Sequence, residues 1–317
     1  MKESVAQALA RLPVARIKLR FRATGRLRLP EYGGSALRGA FGLALRRSSC
    51  ITRQKICTGC PLLRSCPYTA IFEPPPPLEK HALQRFTQMP AAFVIEPPSW
   101  GARTVEPGEV VEWSMVLAGR VVGQLPLVIL AWQQALARGV GRGRGAAVLE
   151  SVHEALVAGD AEVYRPDAGE LRALSARLPA PPTEARSVIL EFSTPLRLQE
   201  RGQPLRDEAL NPRRLLMGLV RRTALVAEAH AGIRLGADFT DLKGLAKEVA
   251  DERDLHWRDW RRYSARQDQE IALGGLVGRW RLSGGLQAFL PFIHIGQWLH
   301  VGKSASFGLG RYTAVFE

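Results

Sequence analysis

The chain has 317 residues, with 44 Lys and Arg against 30 Asp and Glu and a net charge of +14. Apolar residues make up 46%, which excludes wholesale disorder, and no run of about 18 apolar residues offers a membrane span. The opening Met1-Lys2-Glu3-Ser4 lacks the apolar run of a secretory signal, so the expected location is the cytoplasm, away from any membrane.

Two halves are predicted. The first opens with Arg16 to Arg22, which alternates basic and apolar residues as a half-buried strand does. Ala36, Leu37, Ala40, Phe41, Ala44 and Leu45 fall at helical spacing, with Arg38, Arg46 and Arg47 filling the rest of that helix. A Cys-bearing insert over about residues 50–80 follows and includes the extended run Pro74 to Pro77. Phe93 to Ile95 and Val110 to Leu117 read as strands, and Leu125 to Arg138 as a helix. The run Gly141-Arg142-Gly143-Arg144-Gly145 breaks that helix before a strand from Ala146 to Val152.

A proline-rich linker at 179–186 separates this N-terminal domain, 1–178, from a C-terminal domain, 187–317. Ser187 to Phe192 is a strand. Pro212 to His230 is a helix with Asn211 as its N-cap. His256 to Tyr263 and Leu276 to Leu282 are strands, Leu286 to Leu299 is a helix, and Arg311 to Phe316 closes the chain as a strand. Each half therefore reads β-α-β-β-α-β. The predicted fold class is α+β, two tandem ferredoxin-like (RRM-like) domains with a Cys-rich insert in the first. Such sheets commonly bind RNA on an open face.

The excess of Arg favours a polyanionic partner. Arg142 and Arg144 in the glycine run, and Arg46 and Arg47 on the first helix, are candidate phosphate contacts. In Leu255-His256-Trp257-Arg258-Asp259-Trp260-Arg261-Arg262-Tyr263, aromatics interleave with Arg258, Arg261 and Arg262, a pattern that can stack on bases. The four cysteines, Cys50, Cys57, Cys60 and Cys66, are spaced C-x6-C-x2-C-x5-C. In a reducing compartment this points to a metal, with structural zinc favoured over an iron–sulfur cluster and free packed thiols as the alternative.

The most specific segment is His300 to Tyr312. Gly302, Lys303, Ser304, Ser306, Phe307, Gly308, Gly310 and Arg311 combine flexible backbone, hydroxyls and positive charge, which suits phosphate oxygens. It lacks the order of a nucleotide-triphosphate loop. A glycine-rich loop before the final strand of a duplicated ferredoxin-like chain resembles the RAMP superfamily of CRISPR systems, and within it the endoribonuclease that processes precursor CRISPR RNA. That family's loop reads G-h-G-x5-G-h-G; Gly302, Gly308, Leu309 and Gly310 match it, and His300 replaces the first glycine. Leu37 to Gly42, the Gly141–Gly145 run, Cys57-x2-Cys60-Pro61, Cys66-Pro67-Tyr68 and Ile71-Phe72-Glu73 look like one branch of the family.

The resemblance implies an endoribonuclease that needs no cofactor for catalysis and no DNA. The ribose 2′-OH of a CRISPR repeat hairpin attacks the adjacent phosphate, giving a 2′,3′-cyclic phosphate and a 5′-OH, and the product RNA is retained for other CRISPR effector subunits. Many members carry a catalytic His on the first helix, after a loop Tyr. Tyr32 fits that Tyr, but Arg46 and Arg47 fill the corresponding helix positions, and no His lies between Val14 and Lys80. His300, at the head of the loop, is the first candidate acid or base, with Tyr32, Arg38 and Lys303 as non-His candidates. The alternatives are a non-catalytic RAMP subunit that holds guide RNA, and a zinc-stabilised RNA-binding module unrelated to CRISPR.

Overall fold

The computed structural model describes residues 3–76, 89–141, 143–206, 209–264 and 269–317, with backbone alone at 262–264 and 269–271. The chain forms two compact units. One comprises Leu12–Leu178 with Ala229–Ala231; the other comprises the segment up to Arg11, Pro179–Glu228 and Gly232–Glu317. The opening residues, read from the sequence as part of the first half, thus group with the second. Their helix α1 (Val5–Ala10) starts at a reciprocal Ser4–Gln7 capping box and packs on a late helix of that unit.

The first unit runs β1 (Val14–Ala23), β2 (Leu27–Leu29), α2 (Gly34–Ser49), α3 (Pro67–Ile71), β3 (Phe93–Glu96), β4 (Arg103–Val105), β5 (Val110–Ala118), α4 (Leu125–Ala137), β6 (Ala147–Leu156) and β7 (Gly159–Tyr164). Its main sheet has the order β3-β5-β1-β6-β7, antiparallel throughout. Ile17, Leu19 and Phe21 point from β1 into a core with Phe41, Trp113 and Trp132. Phe21 stacks on Trp113 at 4.5 Å. The intervening basic residues of β1 face away from that core and meet acids: Arg16 meets Glu96 at 2.9 Å and Lys18 meets Asp160 at 2.6 Å, and Glu150 takes both Arg20 and Arg22.

The second unit adds β8 (Ser187–Leu196), β9 (Gln199–Glu200), β10 (Gln203–Pro204), α5 (Pro212–Ala231), α6 (Phe239–Leu245), β11 (Ala250–Arg258), β12 (Arg261–Ser264), β13 (Gln269–Ala272), β14 (Gly275–Ser283), α7 (Leu290–Leu299) and β15 (Tyr312–Phe316). Asn211 caps α5 by accepting from the Arg214 amide at 3.0 Å. The sheet order is β11-β14-β8-β15. In both units the third strand of the repeat lies between the second and the first, and the fourth lies on the other side of the first. This is the ferredoxin-like arrangement, and the tandem α+β reading holds.

Two stretches differ from the sequence reading. His256 to Tyr263 is not one strand: β11 ends at Arg258, and the chain turns at Asp259 and Trp260 into the hairpin β12–β13. The Trp257 indole donates to the Asp259 carboxylate at 2.8 Å, a local bond that competes with the ladder. Helix α7 begins at Leu290, because Gly284 and Gly285 hold left-handed backbone (φ +74° and +57°) and Pro291 fits only a first turn. Among the described residues, no helix is long and apolar enough to cross a membrane.

Candidate nucleic-acid interface

The glycine loop, Gly302 to Gly310, is strung from the end of β8. The Lys303 amide donates to the Arg197 carbonyl at 2.7 Å, and the Gly310 amide donates to Pro195 at 3.0 Å. The Thr194 hydroxyl donates to the Gly308 carbonyl at 2.8 Å while accepting from the Arg311 amide at 2.9 Å. Two glycines are sterically required. Gly302 has φ +90°, and a Cβ there would lie 2.6 Å from the Arg197 oxygen; a Cβ at Gly310 would run into the Val301 carbonyl. Behind the loop, Arg222 on α5 donates to the Leu299 carbonyl at 2.6 Å, and burial pushes its guanidinium pKa down to about 10.

This frame leaves Lys303 exposed at the tip with Ser304 and Ser306 half-buried beside it. Neither serine hydroxyl makes a hydrogen bond among the described residues. Phe307 is half-buried next to them, and Arg311 is half-buried at the start of β15. Hydroxyls, a lysine and a turn of backbone on a fixed support are the chemistry a phosphodiester needs.

His300 is placed differently from a group that meets solvent. Its ring is 0% exposed and lies 3.3 Å, Nδ1 to oxygen, from the Leu309 carbonyl. Its φ of +58° is the backbone for which the family pattern uses glycine. As placed, the ring shapes the loop from within. Tyr32 is also buried, with its ring tilted against Trp100 at 4.8 Å between centroids. The Arg38 guanidinium lies 4.1 Å from the Phe72 ring centre. Tyr32 and Arg38 belong to the first unit and His300 to the second.

Among the phosphate candidates, Arg46 donates to the Gln54 and Lys55 carbonyls and so ties α2 to the insert, while Arg47 is exposed. Arg144 is exposed with φ +51°; Arg142 lies outside the described residues, as do His81 and Pro77. The glycines around Arg144 allow close approach: a Cβ at Gly141 or Gly145 would collide with the backbone at Arg28 or Arg26 in the segment around β2. Arg258 is half-buried and Arg261 exposed at the start of β12; the Arg262 side chain lies outside the described residues. Sequence reasoning missed Arg206, whose guanidinium stacks on Trp257 at 4.5 Å, and the supports Thr194, Arg197 and Arg222. All four act across long sequence separations, which no local pattern signals.

Three other histidines have structural partners. His230 is buried with Nε2 2.7 Å from the Pro90 carbonyl, a hydrogen-bond contact. His294 Nε2 lies 2.8 Å from the Pro179 carbonyl, and burial lowers its pKa. His153 Nε2 lies 3.0 Å from the Ser151 hydroxyl.

The four cysteines line one recess of the insert together with Thr52, Leu62 and Tyr68. Cys57 and Cys60 share a tight turn, with the Cys60 amide donating to the Cys57 carbonyl at 3.1 Å. Thr52 Oγ1 lies 3.8 Å from Cys50 Sγ and 3.6 Å from Cys60 Sγ. Burial raises the Cys57 pKa, partly offset by Arg46; at Cys50 burial is outweighed by the Thr52 hydroxyl, the Arg53 amide and Arg46, and the pKa falls. Among the described residues, no group of three or more His, Cys, Asp or Glu side chains is placed to hold a metal ion. The thiols converge without forming a ligand sphere.

Comparison with known proteins agrees with the fold. A family model for an N-terminal domain, AF_1859_N, matches residues 12–176. The model for the CRISPR-associated endoribonuclease Cas6 matches residues 190–312. No curated protein matches. Among solved structures, a Cas6 product complex superposes with a TM-score of 0.56 at 15% identity, covering 95% of this chain and 99% of that one. Thermus thermophilus Cas6 gives 0.53 at 13%, covering 96% and 100%. A partial Cas6-RT-Cas1–Cas2 complex gives 0.53 at 16%, covering 96% of this chain and 46% of that one. With the first model spanning just over half of its length, the chain belongs to the AF_1859_N family, and most of the remainder is similar to the CRISPR-associated endoribonuclease Cas6.

Proposed function

We propose that this protein binds CRISPR repeat RNA and cleaves it without a catalytic metal, by attack of a ribose 2′-OH on the adjacent phosphate. The observation that carries the reading is the glycine loop, hung on Thr194, Pro195 and Arg197, with Lys303 exposed and the Ser304 and Ser306 hydroxyls beside it. Lys303 and the two hydroxyls hold the scissile phosphate and stabilise charge on it as the 2′-oxygen attacks. The product is held by the same contacts and passed to other CRISPR proteins, in the cytoplasm. The test is pure protein with its repeat RNA in the presence of chelator. The expected products end in a 2′,3′-cyclic phosphate and a 5′-OH; intact RNA under conditions of demonstrated binding overturns the enzyme reading.

A specific observation supports the non-catalytic alternative. Where many relatives place a histidine, α2 carries Arg46 and Arg47, and Arg46 is engaged with the Gln54 and Lys55 carbonyls. Saturating protein that binds repeat RNA and leaves it whole selects that alternative.

A structural zinc at Cys50, Cys57, Cys60 and Cys66 is a separate proposal. Four thiols facing one recess are the donor set zinc prefers. Metal analysis of protein purified without added zinc is expected to give about one equivalent per chain, the count that a single four-thiolate site requires. Content far below that, with four titratable thiols, removes the zinc; iron with visible absorption reassigns the site to a cluster.

A further inference from the structure

We propose that Arg197 is a positioning residue that joins the glycine loop to the hairpin β12–β13, so that the two meet one RNA backbone in fixed register. The inference rests on the RNA reading above and adds a residue to it.

Arg197 stands just past β8 and is 7% exposed. It makes no ion pair among the described residues. Its guanidinium Nη1 donates to the Ala272 carbonyl at 3.2 Å and to the Gly274 carbonyl at 2.9 Å. Ala272 ends the returning strand of the hairpin, and Gly274 leads into β14. The other end of the same residue serves the loop: its carbonyl accepts from the Lys303 amide at 2.7 Å, and it bridges Gly302 in parallel. Glycine at 275 makes room for the side chain, since a Cβ there would lie 3.0 Å from Arg197 Cγ. One residue thus touches the base of the hairpin with its side chain and the loop with its backbone.

A guanidinium is a costly choice for such a place if packing alone is needed. Removing an unpaired cation from water is penalised, and neutral carbonyls offset only part of the penalty. An apolar side chain would fill the volume without that cost. The fork supplies two things an apolar chain does not. It fixes the hairpin base by two directed bonds, and it leaves a positive charge, without an acidic partner among the described residues, behind a loop that meets phosphate. The hairpin carries Arg261 at its start, on the strand partner of Ala272. Fixing Ala272 therefore also fixes where that arginine leaves the sheet.

The experiment uses the full chain with Arg197→Met and Arg197→Lys. Repeat-RNA affinity is measured, and amide hydrogen exchange is followed without RNA at Leu273 and Lys303. Arg197→Met is expected to bind RNA about tenfold more weakly, with faster exchange at both amides. Arg197→Lys keeps the charge and can still donate to carbonyls, so it is expected to recover affinity to within about threefold and to restore protection. Parent-like affinity and exchange in Arg197→Met overturn the proposal, as do equal losses in the two variants. If Arg197→Met does not fold, Arg197→Gln replaces it, with the same outcomes deciding. If the parent itself fails to bind repeat RNA, the functional reading falls separately. Exchange then decides the strut alone: a joint rise at Leu273 and Lys303 keeps it, and unchanged exchange removes it.

Discussion

At position 300 the backbone and the side chain make opposite demands. A φ of +58° favours glycine, yet a fully buried imidazole fills the space beneath the loop. His300→Gly is therefore expected to fold, to bind repeat RNA, and to cleave within about tenfold of the parent. A loss of the 10²–10⁴ order typical of a missing acid or base, with binding intact, would return proton transfer to this ring. Lys303→Ala should weaken binding across RNA sequences and flatten the plot of log affinity against log salt by roughly 0.7–0.9, one phosphate contact. His294 gives a pH signature. Its pKa is lowered in the folded protein by burial, so the unfolded chain binds the extra proton first. Stability is expected to fall as pH drops below about 6.5, the ordinary His value, and His294→Gln, which can still donate to Pro179, should remove that dependence in urea titrations. The glycines, Lys303 and the serines were visible in the sequence because each owes its role to its own residue type. Burial at His300 and Tyr32 was not, because it is decided by segments far away in the chain.

The secondary-structure elements sort the same way. β1 and α5 were legible: alternation marks the first, and Asn211-Pro212 marks the start of the second. The hairpin β12–β13 was not, because Arg- and aromatic-rich sequence fits one strand as well as two. Only the Asp259 turn, held by the Trp257 indole, decides between them. The join of α7, loop and β15 is closely packed. Gly310→Ala places a methyl in the Val301 carbonyl at a φ of +68° and is expected to cost about 1–3 kcal/mol in chemical denaturation, with a matching drop in RNA affinity. In the first unit, α2 and α3 meet through Gly42, where a Cβ would overlap the Phe72 ring. Gly42→Ala should cost a similar 1–3 kcal/mol, about that of overpacking a core, and leave the second unit's exchange pattern unchanged.

For the molecule as a whole, the net charge of +14 indicates a polyanion without saying where it lies. The sheet of the first unit shows why charge counting stops short. Four basic residues on β1 form a row, and each is matched by Glu or Asp from a neighbouring strand or loop. Such pairs add little stability, but the carboxylates weaken the field that a row of bare cations would project. The loop of the second unit has one lysine and no acid between Gly302 and Gly310, so it is the better candidate for an anion despite its smaller count. The duplicated β-α-β-β-α-β order was readable because periodicity repeats in both halves, although the strand read at His256–Tyr263 breaks at Asp259 and Trp260. The membership of residues 1–11 was not, since α1 carries no signal of which half it joins.

That last placement has a consequence for how the protein is made. The segment Val5–Ala10 is translated well before its docking helix, Leu290–Leu299. At elongation speeds of roughly 5–20 residues per second the wait is on the order of tens of seconds. Through that interval a short apolar stretch has no berth, and the first unit must fold without borrowing it. The second unit then completes itself by joining that early segment to a helix made much later.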